Sequence, residues 1–238
     1  MRISGFQLES YQDWEEGLTS VVYTGKCNLR CHACHAKLLL ESENHNPDKV
    51  LEKLKRKNKY IKRVTITGGE PTLEKGLERF IRELRKAGFK IKLDTNGTNP
   101  EKTKKFHEIV DYVAMDIKGP KSLYSAIVGS KINIHSIEES VKNIEKFKDY
   151  ELRTTVVPVI RGEEISWISK EEAKEMGEWI YGLLKNPKET KYFVQRFIPR
   201  KNALLNPVLE KFPETPDEIL EGIAEVLKTF FPNTSIRY

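Results

Sequence analysis

The residues best suited to chemistry in this sequence are three cysteines, Cys27, Cys31 and Cys34, which fall within eight residues of a 238-residue chain that has no others. Secreted proteins held together by disulfides have cysteines dispersed along the chain, so this clustering excludes that class of protein. Their C-x3-C-x2-C spacing allows each thiolate to bind a different iron of a four-iron cluster, which is fully ligated only by four cysteines. One iron would then lack a protein ligand and could receive a substrate or cofactor.

Three other interpretations of the cysteines stay open at this point. A structural zinc site could combine the three thiolates with His32 or His35, although such sites usually take their ligands from two separated pairs. A thiol redox pair would use Cys31 and Cys34 and leave Cys27 without a role. Inert buried cysteines would be unusual on a polar loop that also carries two histidines.

Six strand-like runs rich in Val, Ile, Thr and aromatic residues alternate with helical segments. The runs cover residues 18–24, 63–67, 90–94, 112–116, 152–157 and 192–197. Strands joined through helices run parallel, with right-handed crossovers. The pattern therefore predicts an α/β fold with a parallel (βα)6 sheet, either open or curved into a partial barrel, because a complete barrel would need two more strands.

Capping residues mark the helix starts. Asn46 and Asn99 each stand before a proline at the first helical position. Ser136, Ser169 and Thr215 each precede a glutamate by three residues, which is the spacing of a capping box.

No linker-like stretch divides the chain, so we expect a single domain over residues 1–238. Its core would cover about 17–198, with an N-terminal extension (1–16) and a C-terminal extension (199–238) that carries one helix. No apolar run reaches the ~20 residues of a membrane span, and nothing resembles a signal peptide, so we expect no membrane partner and a cytoplasmic location. The net charge of +6 comes from 41 basic and 35 acidic residues, a mixture that favours a solvated surface over a nucleic-acid site.

Polar residues follow three of the predicted strands. They are Gly68, Gly69 and Glu70 after the second run, Asp94 and Asn96 at the third, and Asp116 and Lys118 at the fourth. Ligands gather at the carboxyl ends of parallel strands, so these residues and the cysteines after the first run should face one mouth. The structural alternatives are an Asx-type turn over Asp94-Thr95-Asn96-Gly97 and a surface ion pair between Asp116 and Lys118.

Cysteines with this spacing after a first strand, followed by Thr67-Gly68-Gly69-Glu70-Pro71 after the second, resemble the radical S-adenosylmethionine (radical SAM) family over nearly the whole chain. The resemblance implies a partial barrel of the radical SAM type with a short C-terminal helical extension. It also implies a 4Fe-4S cluster held by Cys27, Cys31 and Cys34, with S-adenosylmethionine (SAM) on the open iron. Reductive cleavage of SAM would give a 5′-deoxyadenosyl radical, so no side chain would itself be the catalyst.

The same resemblance implies a set of cofactor-binding residues: Ala33, His35, Gly68, Gly69, Glu70, Asp94, Asn96, Asp116 and Lys118. The two glycines would admit the methionyl ammonium, with Glu70 as a complementary charge. Asp116 or Lys118 would meet the ribose hydroxyls or the methionyl carboxylate. A monovalent cation beside Asp94 is a further ligand that the resemblance allows. Because Ala33 replaces the aromatic residue usual before the third cysteine, packing around the adenine must differ or come from elsewhere.

Within the family, the sequence is most similar to activating enzymes of glycyl radical enzymes, including proteins named for anaerobic ribonucleotide reductase. The shared residues are Gly5-Phe6 with Ser10 and Asp13, His35, Asp94-Thr95-Asn96-Gly97, and Asp116 with Lys118. This likeness implies an anaerobic oxidoreductase of the activating-enzyme type. Its partners would be a glycyl radical enzyme and a low-potential electron donor such as flavodoxin or ferredoxin.

Two other functions stay open. A radical SAM enzyme similar to 7-carboxy-7-deazaguanine synthase would act on a small molecule or RNA, and its basic surface would meet acidic or nucleic acid ligands. An iron–sulfur redox sensor would bind the cluster without cleaving SAM. For an enzyme, we expect substrate contacts on the loops after the fifth and sixth runs, near Pro158, Arg161, Gln195 and Arg196.

Overall fold

The computed structural model describes residues 1–37, 39, 42 and 44–238. The strands in these residues are β1 (Ile3–Ser10), β2 (Thr19–Thr24), β3 (Arg63–Gly68), β4 (Lys90–Thr95), β5 (Tyr112–Asp116), β6 (Tyr150–Val156), β7 (Val159–Arg161), β8 (Glu164–Ser166), β9 (Lys191–Arg196) and β10 (Thr234–Arg237). The α-helices are α1 (Pro47–Lys57), α2 (Leu77–Lys86), α3 (Pro100–Lys104), α4 (Tyr124–Val128), α5 (Ile134–Ile144), α6 (Lys170–Tyr181) and α7 (Asp217–Lys228). Within this part of the chain, no helix combines the length and the apolar character of a membrane span.

The sheet has the order β1-β2-β3-β4-β5-β6-β9-β10, and β7 and β8 form a separate hairpin. β1 is antiparallel to β2, whereas the strands from β2 to β10 in this sheet run parallel to one another. The sheet is open between β1 and β10. The α/β class and the parallel partial barrel predicted from the sequence are confirmed.

All six predicted strands are confirmed, as β2, β3, β4, β5, β6 and β9. The two edge strands, β1 and β10, were not predicted. The register of β1 against β2 shifts twice, so its side chains lack the regular alternation that marks a strand. β10 has four residues, too few for a recognisable pattern. The C-terminal extension therefore contains a strand in addition to its helix.

Two of the five cap predictions are confirmed by side-chain hydrogen bonds. Asn46 caps α1 through its side chain, and Ser169 forms a complete capping box at the start of α6. Asn99 stands at the cap position of α3 before a proline, as predicted, but its side chain makes no capping hydrogen bond.

The prediction at Ser136 is wrong, because Asn133 caps α5 about one turn earlier. The prediction at Thr215 is also wrong, because its hydroxyl donates to a carbonyl of β6 rather than capping α7.

The apolar core lies on only one face of the sheet. Side chains such as Val64, Ile66, Leu93, Met115 and Leu152 are fully or almost fully buried and belong to one continuous cluster with the apolar faces of the helices. Each large aliphatic side chain buried in this way contributes about 1.5–3 kcal/mol of transfer free energy. The core thus fixes the strands while leaving the opposite, concave face available for polar residues.

Charged side chains fill the lower layer of the concave face, where the parallel strands begin. Glu151, which is 1% exposed, accepts hydrogen bonds from both terminal nitrogens of Arg237 at 2.9 and 2.8 Å and from the Tyr112 hydroxyl at 2.8 Å. Arg237 also pairs with Glu15 at 2.9 Å, and Lys92 lies 3.8 Å from Glu151. These pairs connect the C-terminal strand, the sheet interior and the N-terminal segment.

The N-terminal segment closes this lower end of the sheet. Trp14 is 3% exposed, and its ring centre lies 6.0 Å from that of Tyr112. The neighbouring carbonyl of Asp13 accepts a hydrogen bond from Lys92 Nζ at 2.7 Å. The residues before β2 are therefore part of the packed interior rather than a loose extension.

Replacing Glu151 by Ala removes a carboxylate that pairs with the buried Lys92 and the partly buried Arg237. We expect the Glu151→Ala variant to lose about 3–5 kcal/mol of unfolding free energy, the usual cost of breaking a buried ion pair. Denaturant titration followed by circular dichroism measures the change. Glu164→Ala, on the exposed side of the hairpin, is the matched control and should stay within about 0.5 kcal/mol of the parent. Equal effects of the two substitutions would contradict this assignment.

Candidate cofactor site

The three cysteines lie on the loop that follows β2, and all of them line one cavity of about 290 Å³. They are free thiols of intermediate exposure. A tight turn is closed by the Cys34 N–H, which donates to the Cys31 carbonyl at 3.0 Å. Backbone N–H groups point at two of the sulfurs, with Leu29 N 3.4 Å from Cys27 Sγ and Ala36 N 3.3 Å from Cys34 Sγ. The backbone of the loop is thus folded around the sulfur atoms.

The cavity also brings together the strand ends that were expected to meet. All predicted site residues except Glu70 line it: Cys27, Cys31, Ala33, Cys34, His35, Gly68, Gly69, Asp94, Asn96, Asp116 and Lys118. They come from the cysteine loop and from the carboxyl ends of β3, β4 and β5. The predicted convergence on one mouth is therefore found in the structure.

Gly68, the last residue of β3, and Gly69 after it allow this strand end to lie directly against the backbone that leads into the cysteine loop. Gly69 N donates to the Thr24 carbonyl at 2.8 Å, and the next N–H donates to the Lys26 carbonyl. A Cβ at Gly69 would lie 2.1 Å from Lys26 O. Gly68 has φ +107°, and a Cβ there would lie 2.6 Å from the Thr24 backbone. The close contact between the end of β3 and the chain after β2 therefore requires glycine at both positions. The sequence alone did not indicate this packing role.

Glu70 is fully buried and ties the ends of β3 and β4 together. Its Oε1 accepts from the hydroxyls of Thr72 and Thr95 at 2.6 and 2.9 Å and from Thr72 N at 3.1 Å. Its Oε2 accepts from Asn96 N at 2.6 Å. Burial raises the pKa of Glu70, and the hydrogen bonds from Asn96 and Thr72 oppose this rise. The carboxylate is thus occupied by the protein, whereas we had expected it to face the cofactor.

Asn96 continues this network to the cysteine loop. Its side-chain amide donates to Asn28 Oδ1 at 3.2 Å and lies 3.9 Å from Cys27 Sγ. Its own Oδ1 accepts from Thr98, which closes the turn after β4. The Asx turn offered as the structural alternative is therefore present, and the same residue also touches the first cysteine.

The sequence did not single out Arg153, which lies at the centre of the polar cavity wall. Its Nε donates to Asp116 Oδ1 at 3.0 Å, and its Nη1 lies 3.2 Å from Asp94 Oδ2. Lys118 Nζ takes the other Asp116 oxygen at 2.8 Å. Burial by itself would raise the pKa of Asp116, but the two cations hold it at about 2. The available sequence signal was a basic residue within the predicted strand 152–157, two positions after Glu151.

Asp94 keeps one carboxylate oxygen without a hydrogen-bond partner among the described residues. Asp94 lines the cavity, and its Oδ1 is buried. The nearest cation is Lys92, with Nζ 3.6 Å from this oxygen. A buried acceptor of this kind is costly unless a ligand or water satisfies it.

The segment after β9 packs behind the cysteine loop. Leu205 N donates to the Cys34 carbonyl at 3.1 Å, and His35 Nε2 lies 2.8 Å from the Ile198 carbonyl. Ala33 packs against a small apolar cluster that contains Phe197, whose ring centre lies 5.9 Å from that of His35. The bulk missing at Ala33 is thus supplied from the C-terminal side of the chain.

The four residues expected near the substrate do not line this cavity. Arg161 makes a bidentate pair with Glu172 at 2.8 and 2.9 Å, and Arg196 binds the Thr215 carbonyl and Asp217. Pro158 and Gln195 also lie outside the lining set, whereas Thr155 and Val157 belong to it. The side chains of Arg161 and Arg196 are thus paired with other groups of the protein and do not reach the cavity.

Burial raises the pKa of the Cys31 thiol to about 11, so metal coordination would have to displace a proton held at neutral pH. Among the described residues, no three His, Cys, Asp or Glu side chains converge on a point that could hold a single metal ion. A cubic cluster does not require such convergence, because each thiolate binds a different iron. Three thiols line the cavity, and at its wall lies a carboxylate oxygen that has no hydrogen-bond partner among the described residues. This arrangement fits a cluster with a bound polar cofactor.

Comparison with known proteins identifies relatives of one superfamily. A family model described as the radical SAM superfamily matches residues 21–170. A Methanocaldococcus jannaschii protein that carries the provisional name glycyl-radical enzyme activating enzyme is 28% identical, over 99% of this chain and 95% of its own length. The 7-carboxy-7-deazaguanine synthase of Neisseria meningitidis is 34% identical over 48% of this chain and 50% of its own length.

The fold is similar to that of a solved structure that contains SAM. Streptococcus suis SuiB bound to SAM superposes with a TM-score of 0.67 at 14% identity. The match covers 92% of this chain and 50% of SuiB, so the present chain spans half the length of that neighbour.

A methyl group at position 69 should displace the cysteine loop. We expect Gly69→Ala to lower the unfolding free energy by about 1–3 kcal/mol, the usual cost of overpacking, because its Cβ would overlap Lys26 O. Iron bound after anaerobic reconstitution should fall as well. Gly182→Ala is the matched control, since its Cβ would meet its nearest neighbour at an ordinary 3.5 Å. If Gly69→Ala bound iron and unfolded like that control, the proposed contact would be unimportant.

Proposed function

Since the chain belongs to the radical SAM superfamily, we propose that its cavity holds a 4Fe-4S cluster with SAM and that the enzyme activates a glycyl radical enzyme. The observation that carries this proposal is the meeting of three cysteines with the ends of β3, β4 and β5 on one cavity. When bound, the cluster and SAM supply a 5′-deoxyadenosyl radical through one-electron cleavage of the sulfonium. The side chains of the protein bind and orient these groups.

Cys27, Cys31 and Cys34 would each bind one iron and leave the fourth for the amino and carboxylate groups of SAM. The loop is suited to this task because its backbone N–H groups already point at Cys27 and Cys34. N–H groups aimed at a sulfur stabilise the thiolate form, and hydrogen bonds to the sulfurs help to set the cluster potential.

Around the cavity, Lys118 would face the methionyl carboxylate, and the backbone at Gly68 and Gly69 would receive the ammonium. Asp116 would hold Lys118 in place through their 2.8 Å pair. The unpartnered Oδ1 of Asp94 offers a position for a monovalent cation. These assignments use groups that line the cavity, whereas Glu70 acts behind it as a positioning residue.

The adenine would lie on the side of Ala33 and His35. Apolar packing there comes from the cluster that contains Phe197, Leu204 and Leu209, all of them fully buried. These side chains pack against Ala33 on the side away from the cavity. Since Ala33 is smaller than the aromatic residue usual at this position, it would leave the backbone of the cysteine loop accessible from the cavity. The adenine edge would then be met by backbone groups of this loop.

A protein substrate is supported by the similarity to the provisionally named activating enzyme, which extends over nearly the full length of both chains. The chain has three cysteines and therefore carries ligands for one such cluster. A small-molecule substrate is the second candidate, supported by the similarity to 7-carboxy-7-deazaguanine synthase over half of each chain. A low-potential flavodoxin or ferredoxin would supply the electron in either case.

Anaerobically reconstituted protein should bind about four irons per chain and convert SAM with a strong chemical reductant into 5′-deoxyadenosine and methionine. Cys31→Ala should lose full iron occupancy and reduce 5′-deoxyadenosine to the background of cluster-free protein. Iron analysis and liquid chromatography measure both quantities. Parent protein that binds the cluster without cleaving SAM would instead act as a redox sensor, and full iron and activity in Cys31→Ala would refute the ligand assignment.

Incubation with SAM, reductant and a glycyl radical enzyme from the same genome should give a glycyl radical signal by electron paramagnetic resonance. The signal should disappear when the target glycine of the partner is replaced by alanine or when Cys31→Ala replaces the parent protein. Release of 5′-deoxyadenosine that depends on a nucleotide-like compound, without a radical on any partner protein, would favour the small-molecule function instead.

A further inference from the structure

The outer side of the cysteine loop is built from three chain segments that contact one another. The loop itself covers 25–36, and Arg30 N donates to the Val128 carbonyl at 3.1 Å, which joins it to residues 128–131. Residues 198–206 are joined through Leu205 and Asn206, whose N–H groups donate to the carbonyls of Cys34 and His32 at 3.1 Å each. These contacts make the three segments neighbours on one surface.

The charged side chains of these three segments are all basic, and Glu210 lies at their edge, where its Oε1 accepts a hydrogen bond from Leu204 N at 3.4 Å. The exposed cations of this surface are Lys26, Arg30, Lys131, Arg200 and Lys201, which we call the basic face. The three segments contain no Asp or Glu. Among the described residues, none of the five cations forms an ion pair, whereas many other Lys and Arg side chains do. The mixture of basic and acidic residues expected from the composition is therefore not found within these three segments.

The basic face also borders exposed apolar side chains. Ile198 is 43% exposed, and Val208, two residues beyond the Asn206 contact, is 54% exposed. Arg30 folds back against the loop, with Nη1 3.0 Å from the carbonyls of Cys27 and Leu29. A basic surface with a few apolar side chains fits a transient protein partner that carries complementary negative charge.

The other side of the loop faces the cavity, where Asp94 and Asp116 supply negative charge. A cofactor and a substrate that fill the cavity would occupy this inner side. An electron that reaches the cysteines from the outer side would not need to pass through the cofactor or the substrate. The cysteines are of intermediate exposure, and their loop is in direct contact with the other two segments of the basic face.

Resting on the proposed function, we infer that the basic face docks an acidic protein that carries one electron at low potential. In each encounter the reduced donor loses one electron and the cluster gains it, with no other group transferred. The attraction is long-ranged, so it accelerates association by about 10- to 1000-fold and weakens as salt screens it. Reduction by the donor protein should therefore slow steeply with ionic strength, and reduction by a small chemical reductant should not depend on this face.

The test reverses three charges of the basic face in the reconstituted holoprotein, as Lys131→Glu, Arg200→Glu and Lys201→Glu. The control reverses Lys55, Lys148 and Lys188 to Glu, which are exposed residues that precede β3, β6 and β9 at the opposite end of the sheet. Both variants change the net charge equally. The probe is a purified, reduced, acidic two-cluster ferredoxin, and stopped-flow absorbance without SAM records cluster reduction.

At low ionic strength we expect the basic-face variant to be reduced about tenfold or more slowly than the parent protein, with a weaker salt dependence. The control variant should be reduced like the parent, and dithionite should reduce all three proteins equally. Equal rates with ferredoxin for the two variants would overturn the inference. It would also be overturned if the basic-face variant lost binding to a nucleic acid or to a glycyl radical enzyme while ferredoxin still reduced it at the parent rate. If dithionite-reduced protein failed to cleave SAM, the proposed function would fail while the docking result still stood.

Discussion

The position of the whole site depends on the buried carboxylate of Glu70. Its oxygens hold the turns after β3 and β4, and its N–H donates to the Lys26 carbonyl just before Cys27. Loss of one partner from a buried polar group costs about 1–3 kcal/mol, so the arrangement resists small rearrangements. The protein itself therefore positions the cysteine loop, through hydrogen bonds between strand ends.

A one-sided core explains a composition that is lean in apolar residues. The hydrophobic fraction is 38% and the charged fraction 32%. Apolar side chains are concentrated between the sheet and the helices, and the concave face is given to ions such as Lys92, Glu151 and Arg153. Buried ion pairs contribute little net stability compared with apolar packing. What they provide here is a polar wall whose charges are fixed before any ligand arrives.

Much of the fold was predictable because strand periodicity, helix alternation and cysteine spacing are local signals. The direction of a side chain at a strand end is not local, which is why Glu70 was assigned to the ligand although it binds Thr72, Thr95 and Asn96. Arg153 was missed because no motif marks it. The cap at Ser136 failed for a related reason, since Asn133 is an equally good cap and only the packing of α5 selects between them.

The two ends of the sheet interior differ, because the lower end is closed by the N-terminal segment. Trp14 and the pair between Glu15 and Arg237 occupy the end where the parallel strands begin, and the cavity lies beyond Arg153, between the strand ends and the cysteine loop. The chain itself thus fills one end of the interior and confines the groups that could meet a ligand to the other end. A substitution at the filled end can therefore change stability without altering any group that lines the cavity.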